Sequence, residues 1–239
     1  ITMTYVGFLL GAMGADYYPR LTEVIHDKVA AVRLMNDQAQ LGLAIGGPVL
    51  LLLIGLAPWV ITLLYSSAFE PAVTLLQWQM LGNVFKLASW AMSFSIVAAA
   101  RGKTFFLMEL SFNIAFLGMV FIFLPYLGLE VTAYAFVLSY LVYLTIVYVL
   151  ARNIHNFRWQ ALSLGLLGLH TSLGVALLVL ALMAPFAAAV ASPLVATATG
   201  LFGLRIVLSK VGMHGRLPTR LYGIFARLGW PIQSAVEGK

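Results

Sequence analysis

Seven stretches of this chain, most of them about twenty residues long, each hold at most one charged residue. They run from Ile1 to Ala15, Leu41 to Leu64, Ala72 to Ala100, Thr104 to Leu124, Leu129 to Leu150, Ser163 to Ala184 and Ala188 to Leu208. A bilayer core of about 30 Å needs roughly 20 apolar residues per helix, so the pattern predicts an all-α, polytopic membrane bundle of about seven transmembrane helices. The composition points the same way: 62% of residues are hydrophobic and 9% charged, with a mean hydropathy of +0.98, against about 25% charged in an ordinary soluble domain. So few charges cannot cover a water-exposed surface, whereas lipid accepts an apolar exterior. A secreted or cytosolic globular enzyme is excluded on that ground. Cysteine is absent, which removes disulfides, thiolate metal sites and cysteine nucleophiles.

Thirteen of the fourteen cations sort by loop, and the fourteenth, Lys86, lies within a span. Arg20, Lys28 and Arg33, then Arg101 and Lys103, then Arg152 and Arg158, then Arg205, Lys210, Arg216, Arg220, Arg227 and Lys239 fall on alternate connections. The opposite loops carry Glu70 and Glu130 and no Lys or Arg. By the positive-inside rule the basic loops are cytoplasmic, residue 1 lies outside and Lys239 inside. The basic balance is therefore a topology signal, and nucleic acid is not an expected partner. The first stretch is short, starts with Ile and follows no basic region, so it reads as a chain cut inside a helix and not as a signal peptide.

Residues 1–208 form the expected bundle, truncated at its N-terminal side, and 209–239 a basic cytoplasmic interfacial tail. In that tail Leu221, Ile224, Phe225 and Leu228 fall at helical spacing among arginines. Between Asp16 and Gln40, Thr22 or a neighbour is expected to cap a short interfacial helix that places Ile25, Val29 and Val32 on one side and runs into the second span. Gly46-Gly47-Pro48 and Pro58 interrupt that span, so carbonyls freed by the prolines should face protein or a cavity. The short loops leave no room for a soluble catalytic domain.

Motifs of catalysis fail. Arg101-Gly102-Lys103-Thr104 lacks the earlier glycine of a phosphate-binding loop, because that position is Val97. His26, His155, His170 and His214 are scattered without metal-site spacing, and no carboxylate pair is placed for glycoside hydrolysis. The expectation is a protein that is not an enzyme and needs no cofactor or metal. His170, inside a span, reads as a hydrogen-bonded packing residue in preference to a proton relay.

Lys86 is the most informative position. It stands near the middle of the third span, where a cation costs on the order of 2.5 to 3.5 kcal/mol. Asn83, Lys86 and Trp90 fall at i, i+3 and i+7, so one helix face offers an amide, an ammonium and an aromatic platform. An ammonium there can neutralise a phosphate, and an indole can stack on a sugar ring. The competing reading is a lysine paired with a carboxylate merely to fix packing. Glu109 lies about a turn and a half inside the fourth span, with Asn113 one turn later. Glu109 either pairs with Arg101 or Lys103 at the interface or faces Lys86 at a different depth, with water between them. Candidate substrate-binding residues are thus Lys86, Asn83, Trp90, Glu109 and Asn113.

With those residues in view, the chain resembles the C-terminal part of the lipid-linked oligosaccharide flippases, the polysaccharide branch of the multidrug/oligosaccharidyl-lipid/polysaccharide exporter superfamily. The likeness rests on Tyr18-Pro19-Arg20-Leu21-Thr22-Glu23, on Ala57-Pro58-Trp59 running to Leu64-Tyr65-Ser66 and Phe69, on Leu81-Gly82-Asn83 through Lys86 to Ser89-Trp90, and on Glu109 with Asn113. It covers roughly Met3 to Trp159. The resemblance implies a two-lobed, alternating-access transporter of the bacterial inner membrane, with about one lobe present here and the N-terminal lobe as its partner. It implies flipping of undecaprenyl-diphosphate-linked oligosaccharide, such as an O-antigen unit for lipopolysaccharide, towards the periplasmic leaflet. Polysaccharide polymerase machinery is a further implied partner, and a cationic cavity fits Lys86. The family often has Asp where this chain has Asn83, so ion coupling through that position is not implied. The alternative is a cation-coupled multidrug-type exporter of the same superfamily.

Overall fold

The computed structural model describes residues 2–65, 67–211, 216–227 and 229–232. Its helices are α1 (Thr2–Val24), α2 (Lys28–Leu64), α3 (Ala72–Ala98), α4 (Gly102–Leu127), α5 (Val131–His155), α6 (Ala161–Met183), α7 (Pro185–Val211) and α8 (Arg216–Arg227), with short 3-10 turns before α3 and before α5. Among the described residues there is no strand. Among the described residues five stretches are long and apolar enough to cross a membrane: 28–64, 72–98, 102–155, 161–183 and 185–210. The third of these folds as two helices, α4 and α5, packed on each other. The protein is an all-helical membrane bundle.

Local chemistry sets the helix ends. Asp27 stands in extended backbone and accepts from the amides of Val29 (2.9 Å) and Ala30 (3.1 Å), satisfying the free N–H groups that open α2. Asn156 closes α5 in the left-handed region (φ 58°), its N–H bonding to Arg152 O while Phe157 N–H reaches Ala151 O. Ala184 separates α6 from α7, and Pro185 takes the first position of α7, where its missing N–H is harmless.

One expected element is corrected. There is no separate interfacial helix opened by Thr22: α1 continues to Val24, and the Thr22 hydroxyl donates to Pro19 O (2.6 Å) inside it. The carboxylate at Asp27 is the stronger cap, so Lys28–Gln40 belongs to α2. Ile25 is buried at 6% exposure and Val29 is 71% exposed, so the expected common face does not form.

α2 runs through both prolines, and the carbonyls they strip of a partner face protein. Pro58 frees Ile54 O, which accepts from the Gln77 side-chain amide of α3 at 3.1 Å. Pro48 frees Ala44 O, which lies so close to Gly203 of α7 that an added Cβ there would collide with it. Gly55 is equally tight against Ala188 O and Ser192. Small residues thus bring the α2 and α7 backbones together. Asn36 ties the connection before α6 to α2: its Oδ1 accepts from Gln160 N–H and Ser163 Oγ (both 2.8 Å), and its Nδ2 donates to Arg158 O (3.0 Å). An ion pair joins Lys210 of α7 to Asp37 of α2.

Two apolar cores result. One is built by α2, α3, α6 and α7 with Val6 and Leu10 of α1, the other by the second half of α1, α3 and α5 with the start of α2 and Met108 of α4. α3 belongs to both and is buried along most of its length. α4 lies at the edge of the second: Met108 is its one buried residue and belongs to that core, while Phe106, Ile114, Leu117 and Phe121 are exposed, a surface suited to acyl chains. In the tail, α8 folds back on α7, with Tyr222 and Phe225 packed on Leu208 and the Tyr222 hydroxyl donating to Leu208 O (2.7 Å). Arg220 and Arg227 stay exposed. His214, Leu228 and Lys239 lie outside the described residues.

Candidate functional site

A cavity of about 200 Å³ lies between α3, α4 and α5, towards the end where α3 turns into α4. α3 contributes Lys86, Ser89, Trp90, Ser93 and Phe94; α4 contributes Phe105, Glu109 and Phe112; α5 contributes Tyr140 and Tyr143. The α3 residues recur at helical spacing on the face that carries Lys86. Ser89 and Ser93 donate back to Lys86 O (3.1 Å) and Trp90 O (2.8 Å), so their oxygens remain acceptors towards the cavity.

Lys86 is half-buried, and among the described residues no carboxylate oxygen lies within 4 Å of its Nζ. The ammonium stands 5.7 Å from the centroid of the Tyr140 ring, within cation–π range. Glu109 faces the same cavity but accepts from the Tyr143 hydroxyl. The expected pairing of Glu109 with Arg101 or Lys103 is not found, nor is a direct ion pair with Lys86. Counting 1.5 Å per residue from the α3–α4 connection puts the two Cα atoms at depths differing by about 8 Å, an offset that a lysine and a glutamate side chain can span between them.

Trp90 forms one wall. Its indole packs on Tyr17 (ring centroids 5.6 Å) and Phe94 (4.8 Å), and Gly14 of α1 leaves room for it. Phe112 anchors the opposite wall against Tyr140, at 4.5 Å between ring centroids. Apolar walls with one cation, one anion and a few hydroxyls suit a ligand that has both a charged group and a ring or chain.

Two predicted residues stand elsewhere. Asn83 shares the helical arc of Lys86 and Trp90, but its short side chain donates to Gln79 O (2.7 Å) and is fully buried, so it does not line the cavity. Asn113 donates to Glu109 O (2.9 Å) on the exposed side of α4 and is also outside it. His170 is buried against Gly47 beside Pro48; its Nδ1 donates to Leu166 O (2.8 Å), which leaves Nε2 as a bare acceptor in the neutral ring. His155 Nε2 lies 3.3 Å from Ser95 O and ties the end of α5 to α3, while His26 is exposed in the turn before α2. Among the described residues no three His, Asp or Glu side chains cluster as metal ligands do.

The sequence did not single out Tyr140 and Tyr143. Their i, i+3 spacing on α5 is a signal only once α5 is known to face α3 and α4. Comparison of the chain with protein-family models, curated proteins and solved structures finds no match.

Proposed function

We propose that the protein is a flippase that moves an undecaprenyl-diphosphate-linked oligosaccharide, such as an O-antigen unit, from the cytoplasmic to the periplasmic leaflet of a bacterial inner membrane. The observation that carries this reading is Lys86, an intramembrane ammonium bordering an aromatic cavity with no carboxylate within 4 Å among the described residues. A diphosphate and its sugars cannot cross hydrocarbon unaided. An ammonium with hydroxyls around it lowers that barrier for the head group, Trp90 offers a face for a sugar ring, and the polyprenyl tail stays in lipid. No bond is made or broken.

Counting α1, and counting α4 and α5 separately, the five apolar stretches become seven passes. The bundle is then one lobe of a two-lobed alternating-access transporter, with a second lobe closing the passage. The basic connections support a cytoplasmic C-terminus by the positive-inside rule. In cells that depend on this protein for surface polysaccharide, Lys86→Ala is expected to abolish most export while protein abundance holds. Normal export would remove Lys86 from the mechanism.

One observation favours a second reading, a cation-coupled exporter of amphipathic small molecules: Glu109 shares the cavity and can bind a cation. That protein confers drug resistance, lost on Glu109→Gln, and leaves surface polysaccharide unaltered.

A further inference from the structure

An ammonium and a carboxylate bordering one small cavity attract each other strongly where water is scarce, and their ordinary fate is an ion pair. Here they stay apart. Each is held by a tyrosine of the same helix: the Tyr143 hydroxyl donates to Glu109 Oε1, and the Lys86 ammonium sits 5.7 Å from the Tyr140 ring centroid.

The two tyrosines are three residues apart, so they share a face of α5. Both are buried, at 8% and 6% exposure, with their rings edge-on at 6.1 Å and Phe112 against each. α4 packs mainly on α5 and only slightly on α3, and α3 packs extensively on α5. α5 is therefore the element that sets where Glu109 and Lys86 stand relative to each other.

We propose that Tyr143 is a positioning residue: its hydroxyl holds Glu109 away from Lys86, so that the ammonium stays open to an anionic head group. The proposal rests on the reading of Lys86 given above. It assigns Tyr143 no contact with the ligand. Without the phenol oxygen, Glu109 has no partner of its own in the cavity and swings to Lys86, and the ligand must then compete with a resident carboxylate.

The test is equilibrium binding to the full-length protein in lipid nanodiscs, with undecaprenyl diphosphate as probe and undecaprenol, which lacks the anion, as control. Tyr143→Phe keeps the ring and its packing. It is expected to weaken diphosphate binding on the order of tenfold, the effect of one competing charge contact, without changing undecaprenol binding. Glu109→Gln removes the anion that borders the cavity, and with it the repulsion of the diphosphate, and is expected to bind the diphosphate more tightly. Adding Tyr143→Phe to Glu109→Gln should then cost nothing, which a merely structural tyrosine would not show. Diphosphate binding by Tyr143→Phe equal to wild type, or a loss that persists in the Glu109→Gln background, overturns the proposal. Lys86→Ala separates the two levels. If it weakens diphosphate binding while Tyr143→Phe does not, only the role of Tyr143 falls; if it binds as wild type, the reading of Lys86 falls and takes the tyrosine with it.

Discussion

The seam between α2 and α7 and the seam between α3 and α4 are built on opposite plans. Along the first, Gly203 lies against Ala44 O, Gly55 against Ala188 O and Ser192, and Gly200 within 3.8 Å of Pro48 by its Cβ direction. Backbones meet there, and dispersion between them is gained over the whole length. Along the second, Phe94, Phe105, Phe112 and Trp90 hold the helices apart and leave the 200 Å³ cavity that Lys86 and Glu109 share. Small residues make a frame with no room to adjust, and large residues leave a cleft between the helices. The prolines belong to the frame: they spare backbone donors in α2 where neighbouring helices meet the freed carbonyls. The proposed transport would use both kinds of seam, since a cleft can open and close only against something that does not.

The sharpest way to break this contrast is to make one change inside the α2–α7 seam and the same change on an open helix surface. Gly203→Ala puts a methyl into the Ala44 carbonyl, a backbone atom that cannot rotate away, and is expected to destabilise by about 3 kcal/mol. Gly118→Ala on α4 meets nothing within 4 Å and replaces a poor helix former, so it should be neutral or stabilise by up to about 1 kcal/mol. Denaturant unfolding in detergent measures both, and equal effects would mean that the α2–α7 seam is no tighter than an uncontacted helix surface. Gln77→Leu comes next. It leaves Ile54 O buried without its donor and is expected to cost about 1 to 3 kcal/mol, whereas a loss under about 0.5 kcal/mol would mean that the carbonyl freed by Pro58 needs no cap.

The frame was largely legible in the sequence and the cleft only partly. Apolar stretches of bilayer length, Gly46-Gly47-Pro48 and Pro58 read directly as helices and as carbonyls in need of partners, because hydrocarbon permits few alternatives. The identity of those partners, Gln77 and Gly203, depends on which helices are neighbours, and one sequence does not state that. The start of α2 was misplaced because Thr22 and Asp27 both look like caps, and the winner was decided by α1 continuing through Pro19 to Val24. Lys86 and Trp90 were legible because charge and aromatic area inside a span are conspicuous. Asn83 was over-read, since helical spacing gives an arc but not the reach of a short side chain. Tyr140 and Tyr143 were passed over for the opposite reason: α5 also holds Tyr134 and Tyr148, and spacing alone does not say which of the four meets the cavity.

The smallest expected effect bears on the cleft most directly, because it asks whether Lys86 is wet. On insertion scales a lysine at the centre of a span costs on the order of 2.5 to 3.5 kcal/mol when hydrocarbon surrounds it. Lys86→Met keeps the length and apolar stem and deletes only the charge. If the ammonium were dry, the substitution would recover most of that cost and stabilise by about 2 kcal/mol or more. If water from the cavity solvates it, little is recovered, and loss of the contact with the Tyr140 ring, worth about 0.5 to 1 kcal/mol, offsets what remains. The expected change is therefore below about 1 kcal/mol, read by the same unfolding measurement. A near-zero result sharpens the comparison, since a hydrated cation inside a span requires a seam that admits water where the α2–α7 seam admits none. A large gain in stability would put Lys86 in the frame, as a charge tolerated for packing, and the proposed passage for anions would lose the group it rests on.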